Sequence, residues 1–142
     1  MSHILSTDAE LRRLLEKAKS IAVVGISDSP DRPSYQVASY LRHAGYEIIP
    51  VNPNLQEWQG IHAYPTVKAI GRKVDVVEVF RRPEALPGVI DDAIAAGAGL
   101  IWTQLGVVDD SATDRAVAAG IPVVIDRCME IEHGRLIRGR TR

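Results

Sequence analysis

Short runs of apolar residues alternate along the chain with longer segments in which apolar positions recur every three or four residues. The first long segment covers residues 7–19, where Leu11, Leu14, Leu15 and Ala18 form one stripe, the period of a helix with a single buried face. Thr7 and Glu10 have capping-box spacing, which marks where that helix begins. Residues 20–25 (SIAVVG) are almost continuously apolar, as expected of a strand buried on both faces of a parallel sheet. A second helix opens at Arg32-Pro33, with proline at a tolerated early position, carries Val37, Ala38, Tyr40 and Leu41, and ends near Gly45. Residues 47–51 predict the second strand, and a loop with Pro53, Gly60 and Pro65 follows. A short helix is predicted over 66–70, strands over 74–80, 100–105 and 122–126, and helices over 84–96 and 111–119. Pro87 belongs in the first turn of its helix or else shifts the start, and Gly97 ends it. Residues 128–142 read as a polar, arginine-rich tail with no assigned element.

Five strands separated by helices imply βαβ units. Right-handed crossovers then give an α/β, doubly wound, mostly parallel five-stranded sheet with helices on both faces. A chain of 142 residues is expected to form one domain over 1–142, the helix within 1–19 preceding the first strand. In such sheets ligands bind beyond the carboxyl ends of the strands, at the point where strand order reverses. The candidate positions are therefore 25–34, 51–54, 80–83 and 102–106.

Composition narrows the ligand. The formal net charge is -1, which excludes bulk attraction to nucleic acid or to an acidic membrane surface; an anion must be captured by local groups. Cys128 is the one cysteine, so no intrachain disulfide forms, which fits a reducing compartment. Residues 1–9 lack the apolar core of a secretory signal, and no apolar run has membrane-spanning length. A cytoplasmic protein is the expectation.

The segment Gly25-Ile26-Ser27-Asp28-Ser29-Pro30-Asp31-Arg32-Pro33-Ser34 joins the first strand to a helix start. Glycine there permits a sharp turn and close approach of a ligand. The helix start supplies unpaired N–H groups and the positive end of a dipole, together an anion site. Ser27, Ser29 and Ser34 add hydroxyls, and Arg32 adds a fixed charge suited to phosphate. The same residue types are common in plain turns and caps. An ordinary dinucleotide site is disfavoured, because a G-x-G-x-x-G pattern from Gly25 meets Ser27 and Pro30 where glycine is needed. The end of the second strand, Pro50-Val51-Asn52-Pro53-Asn54, also offers no acidic residue for ribose hydroxyls and no arginine for a 2′-phosphate. No Gly-Lys-Ser/Thr sequence of a P-loop occurs.

In this order and spacing, Ala22-Val23-Val24-Gly25-Ile26-Ser27 with Pro30 to Ser34, Gly45-Tyr46 with Ile49-Pro50-Val51-Asn52-Pro53, Val74-Asp75-Val76-Val77 with Val79-Phe80-Arg81-Arg82-Pro83, Trp102-Thr103-Gln104-Leu105-Gly106, and Val124-Ile125-Asp126-Arg127-Cys128 carry a family resemblance. The chain resembles the stand-alone CoA-binding domain proteins, relatives of the N-terminal domain of the succinyl-CoA synthetase α subunit. The resemblance covers residues 19–136. It implies a Rossmann-like fold with coenzyme A or an acyl-CoA across the strand ends. By that likeness the 25–34 loop, with Gly25, Ile26, Ser27, Ser29, Arg32, Pro33 and Ser34, holds the pyrophosphate. Val51 and Asn52 lie near the adenosine, Phe80 and Arg81 flank the nucleotide, and Trp102 and Gln104 line the floor or path of the pantetheine arm. Each also has a plainer reading: core packing for Phe80 and Trp102, a solvated charge for Arg81, an Asx turn for Asn52.

No catalytic residue is assigned. His3, His43, His62 and His133 form no Ser/Cys–His–Asp order, and the resemblance places the phosphohistidine chemistry of the synthetases in a further domain. Cys128, Glu130, Glu132 and His133 match no closed zinc set. Cys128 reads as a buried thiol, with a disulfide to the CoA thiol as the alternative. Arg135, Arg138, Arg140 and Arg142 read as a solvated terminus. The expected function is a binding, carrier or sensor module. A nucleotide-dependent enzyme, NAD(P)-linked in its commonest form, and a subunit completing an acyl-CoA synthetase in trans are the alternatives.

Overall fold

A computed structural model describes residues 3–138 of the chain. Helix α1 (Asp8–Lys17) is followed by β1 (Ser20–Val24), α2 (Pro33–His43) and β2 (Glu47–Val51). Next come two short strands, β3 (Glu57–Trp58) and β4 (Ile61–His62), and then β5 (Val76–Val79), α3 (Leu86–Ala95), β6 (Ile101–Thr103), α4 (Asp110–Ala118), β7 (Val123–Val124) and α5 (Met129–Leu136). The main sheet has five strands in the order β2-β1-β5-β6-β7, all parallel. This is the Rossmann-like α/β sheet expected from the alternating pattern. Its order reverses between β1 and β5, so the loops after those two strands flank the switch point.

Strand alternation divides the core into two layers. Ala22, Val24, Ile49, Val51, Val77, Val79 and Ile101 pack with Leu86, Ile90, Ala93, Ala112 and Ala116 from α3 and α4. Ile21, Val23, Ile48, Val76, Trp102 and Val124 pack on the other face with Leu11 and Leu15 of α1, Val37 and Leu41 of α2, and Met129 and Leu136 of α5.

Local signals were realised as the chain chemistry dictates. The Thr7 hydroxyl accepts the Glu10 N–H at 3.2 Å, and Glu10 Oε1 accepts the Thr7 N–H at 3.1 Å, closing the capping box. Arg32 is the N-cap of α2, with Pro33 as the first helical residue. A 3-10 turn over Pro83–Ala85 precedes α3 and moves its start to Leu86, with Pro87 still in the first turn. The predicted 66–70 helix is a 3-10 turn over Lys68–Ile70. The strand predicted over 74–80 is shorter because side chains take over at its entrance. The Asp75 carboxylate accepts the N–H groups of Lys19 and Ser20 at 2.7 and 3.1 Å, and the Ser20 hydroxyl accepts the Asp75 N–H at 3.0 Å.

Two elements depart from the sequence reading. Residues 129–136, read as polar tail, form α5 and bury Met129, Glu132, His133 and Leu136. The buried stripe was disguised because two of its members are polar, and their partners come from elsewhere. The Tyr40 hydroxyl bonds His133 Nδ1 at 2.9 Å, while Glu132 Oε1 accepts from Arg127 at 3.2 Å and Arg135 at 2.7 Å. Arg135 also pairs with Asp8, and Arg138 lies 5.7 Å from the Tyr40 ring centre; Arg140 and Arg142 lie outside the described residues. The second departure is the antiparallel β3–β4 hairpin within the 52–65 loop. Its turn residues Gln59 and Gly60 both have positive φ, as a type I′ turn requires, and it buries Trp58 almost completely. Among the described residues no helix is long and apolar enough to cross a membrane.

Candidate functional site

Gly25 follows β1 directly with φ +84°, a conformation glycine adopts freely and other residues do not. Its N–H still bonds Val51 O at 2.9 Å, and Phe80 N–H bonds Val24 O at 2.8 Å. The switch point is thus held shut by backbone ladder bonds up to its last residue. A β-carbon on Gly25 would stand 2.2 Å from Phe80 O and 2.7 Å from Arg81 Cδ. The absence of a side chain here is what lets the β1 and β5 ends converge on the floor of one crevice.

That crevice encloses about 820 Å³, within the range of small-molecule sites. Gly25, Ile26, Ser27 and Asp28 form one wall with Arg32, Pro33 and Ser34, and Asn52, Asn54 and Leu55 close the β2 side. Phe80, Arg81, Arg82 and Pro83 come from the end of β5, and Gln104 to Val107 from the end of β6. An adjoining recess of about 560 Å³ is lined by Gly25, Asn52, Pro53, Asn54 and Phe80 and carries Arg32, Arg81 and Arg82. All three arginines are exposed, and among the described residues none has an ion-pair partner. Among the described residues Asp28 is the one carboxylate on the crevice wall.

The loop after β1 is braced by hydrogen bonds. The Ser34 hydroxyl accepts the Ser27 N–H at 2.9 Å, and the Ser27 hydroxyl accepts the Ser29 N–H at 3.0 Å. Both hydroxyls act as acceptors in these bonds, so each keeps its O–H to donate. The Ser29 hydroxyl is committed instead, donating to Asp31 at 2.6 Å; that bond holds the Asp31 carboxyl below its usual range. From the end of β2, Asn52 Nδ2 donates to Ile26 O at 2.8 Å, and from β3 the buried Trp58 donates through Nε1 to Ser27 O at 2.9 Å. Arg32 gives α2 no side-chain cap, so the N–H groups of the first turn keep the anion-binding capacity of a helix start.

Residues 19–134 match the family described as CoA binding domain. The chain belongs to the CoA-binding domain family. Among its relatives is the Bacillus subtilis protein YneT, 42% identical over 125 residues, which span 88% of this chain and 93% of that one. A Thermus thermophilus structure superimposes with TM-score 0.89 at 41% identity, covering 93% of this chain and 100% of the other. A hypothetical protein from Pyrococcus horikoshii gives TM-score 0.90 at 38% identity, covering 93% of each chain. The α subunit of an ADP-forming acetate–CoA ligase of Pyrococcus furiosus is 39% identical over 59 residues, spanning 41% of this chain and 13% of the subunit.

Of the residues that the CoA-binding family resemblance singled out, Gly25, Ile26, Ser27, Arg32, Pro33, Ser34, Asn52, Phe80, Arg81 and Gln104 line the crevice together. Three do not. Val51 is buried in the α3–α4 layer and serves the site only through its carbonyl bond to Gly25. Trp102 is fully buried in the opposite layer, its indole N–H spent on Arg127 O at 2.9 Å. Ser29 is not among the lining residues, and its hydroxyl donates to Asp31. Cys128 is a buried thiol at the start of α5, outside the crevice lining.

The candidate stretches 51–54, 80–83 and 102–106 already held Asn54, Arg82, Pro83, Leu105 and Gly106, although none of these was given a contact of its own; sequence reasoning missed Leu55 and Val107 of the lining, and it missed Trp58 as the brace of the Ser27 carbonyl. An isolated tryptophan in the polar 52–65 loop was the available signal. Replacing Trp58 with Phe keeps the ring and deletes the indole donor, leaving a carbonyl unpaired at a cost of about 1–3 kcal/mol. Urea unfolding of Trp58→Phe is expected to show that loss, with CoA affinity falling severalfold in calorimetry; unchanged affinity would free the 25–34 loop from this brace.

Glu78 was also missed, hidden in the apolar run VDVVEVF. It is completely buried in β5, beside Val23 on β1 and Trp102 on β6. Among the described residues neither carboxyl oxygen has a hydrogen-bond partner, and burial alone pushes the group up to about 8.

Proposed function

We propose that this protein binds coenzyme A or an acyl-CoA in the crevice at the β1–β5 switch point, as a binding, carrier or sensor module. The observation that carries the reading is the cluster of three unpaired arginines, Arg32, Arg81 and Arg82, around a recess floored by Gly25 and Asn52. A near-neutral chain gathers three guanidinium groups, none in an ion pair among the described residues, where an anion supplies the missing charge. Coenzyme A carries a pyrophosphate and a 3′-phosphate, and the adjacent start of α2 offers N–H groups to the same charges. The wall from Gln104 to Val107 suits the less charged pantetheine arm. Membership of the family and the partial match to an acetate–CoA ligase subunit support the same ligand.

NAD fits less well. The residue that should meet ribose hydroxyls with a carboxylate is Asn52, and its amide is engaged with Ile26 O.

Calorimetric titration of ligand-stripped protein with CoA, dephospho-CoA and NAD tests the reading. Micromolar CoA binding without NAD binding is expected. Arg32→Ala and Arg81→Ala should each weaken CoA roughly tenfold to a hundredfold, the value of a charge-assisted hydrogen bond. A residue on the 3′-phosphate loses affinity for CoA alone; one on the pyrophosphate loses it equally for both CoA forms. Wild-type protein that ignores CoA at millimolar concentration would overturn the reading.

A further inference from the structure

Three buried acceptor atoms lack a donor among the described residues: both carboxyl oxygens of Glu78 and the side-chain oxygen of Gln104. They belong to adjacent strands. Glu78 lies opposite Trp102 in the β5–β6 register, and the Gln104 N–H continues that ladder by bonding Val79 O at 3.2 Å. Residues 78, 102 and 104 share one face, since side chains alternate along a strand. Gln104 is thus the diagonal neighbour of Glu78, a separation that two long side chains bridge. Phe80 and Gln104 line the crevice, and Glu78 lies one step deeper. Buried acceptors without donors are strongly unfavourable. A proton on Glu78 converts one of the three into a donor.

We propose that Glu78 is a positioning residue of the crevice: it is held as the carboxylic acid, its O–H donates to the Gln104 side-chain oxygen, and the Gln104 amide N–H pair is thereby aimed at a carbonyl of the ligand. The ligand half of this rests on the CoA reading, in which the amide carbonyls of the pantetheine arm are the acceptors. The Glu78–Gln104 bond itself belongs to the ligand-free protein.

Other titratable groups on this face are occupied. Tyr46 donates to Leu15 O, Tyr40 and His133 bond each other, and Glu132 holds Arg127 and Arg135. Cys128 is a buried thiol, Tyr35 stacks edge-on with Trp58, and α1 contributes Leu11 and Leu15 to this layer. At the crevice mouth stand Asp28, Arg32, Arg81 and Arg82. Burial is the sole source of the upward shift in Glu78.

Infrared difference spectra between wild type and Glu78→Gln test the first half without ligand. A protonated-carboxyl C=O band is expected near neutral pH, absent in the variant, fading as pH rises through about 8, and displaced to higher frequency in Gln104→Leu. Calorimetry with CoA tests the second half. Glu78→Gln retains a donor and should bind within roughly threefold of wild type at about pH 6, whereas wild type alone should lose about tenfold more affinity by about pH 9. Superimposable pH profiles for the two proteins would overturn the positioning role. No acid band at pH 6, or a band unmoved by Gln104→Leu, would overturn the bond. A band that behaves as expected in a protein that ignores CoA would sink the CoA reading and its pantetheine acceptor while leaving the Glu78–Gln104 bond standing.

Discussion

Gly25→Ala is expected to unfold the switch point and abolish ligand binding together. Two penalties coincide at this position. A φ of +84° strains any residue with a β-carbon by roughly 1–2 kcal/mol. The added methyl also meets the Phe80 carbonyl at 2.2 Å, a backbone atom that cannot swing aside. Forcing β1 and β5 apart breaks the Phe80–Val24 ladder bond between them, and overpacking of this kind adds about 1–3 kcal/mol. A total of about 2–5 kcal/mol in urea unfolding is expected, with CoA affinity reduced at least about a hundredfold. Gly45→Ala separates the two penalties. Gly45 has φ +108° but nothing within 4 Å of where a β-carbon would stand, and it lies away from the crevice. It should show the strain loss alone, with CoA binding intact. Equal effects of the two substitutions on stability and binding would refute the close-approach argument.

Replacing Glu78 with Leu should make the protein more stable, increasingly so as pH rises. The folded-state carboxyl sits at about 8 against an ordinary value of 4.5. Between those values the folded protein holds a proton that the unfolded chain has released, so stability falls with rising pH. The penalty is absent below about 4.5, grows through the window, and levels off above about 8. Over the full window it is on the order of 5 kcal/mol. Urea unfolding of wild type and Glu78→Leu at about pH 5 and about pH 9 should show curves that diverge by several kcal/mol at the higher pH. Parallel pH dependences in the two proteins would mean Glu78 is ionised in the fold. A buried acid that destabilises the protein is consistent with a site role, since stability is commonly forgone where function needs an awkward group.

The family, the fold and most of the crevice wall were legible in the chain itself, because their signals are local. A capping threonine, an apolar stripe of helical period, continuous apolar runs and a glycine at the end of the first run each act over a few residues. Alternating strands and helices leave few topologies, and the switch-point rule then selects four loops. Ten of the proposed residues line the crevice because they follow those strands directly. What only the tertiary structure decided depended on partners distant in the chain. Val51 and Trp102 are as close to strand ends as Asn52 and Gln104, but their side chains are enclosed by opposite helical layers. Glu132 and His133 are buried in α5 because Arg127, Arg135 and Tyr40 meet them there, a pairing no hydrophobic period records. Trp58 reaches the Ser27 carbonyl through a hairpin with two left-handed turn residues. Glu78 reads as one polar letter in a strand, and only the packing of Val23 and Trp102 beside it turns it into a desolvated acid behind the crevice. Local sequence specifies which elements form and where the chain turns; burial is a property of the assembled layers, and it alone determines which polar side chains are left without water.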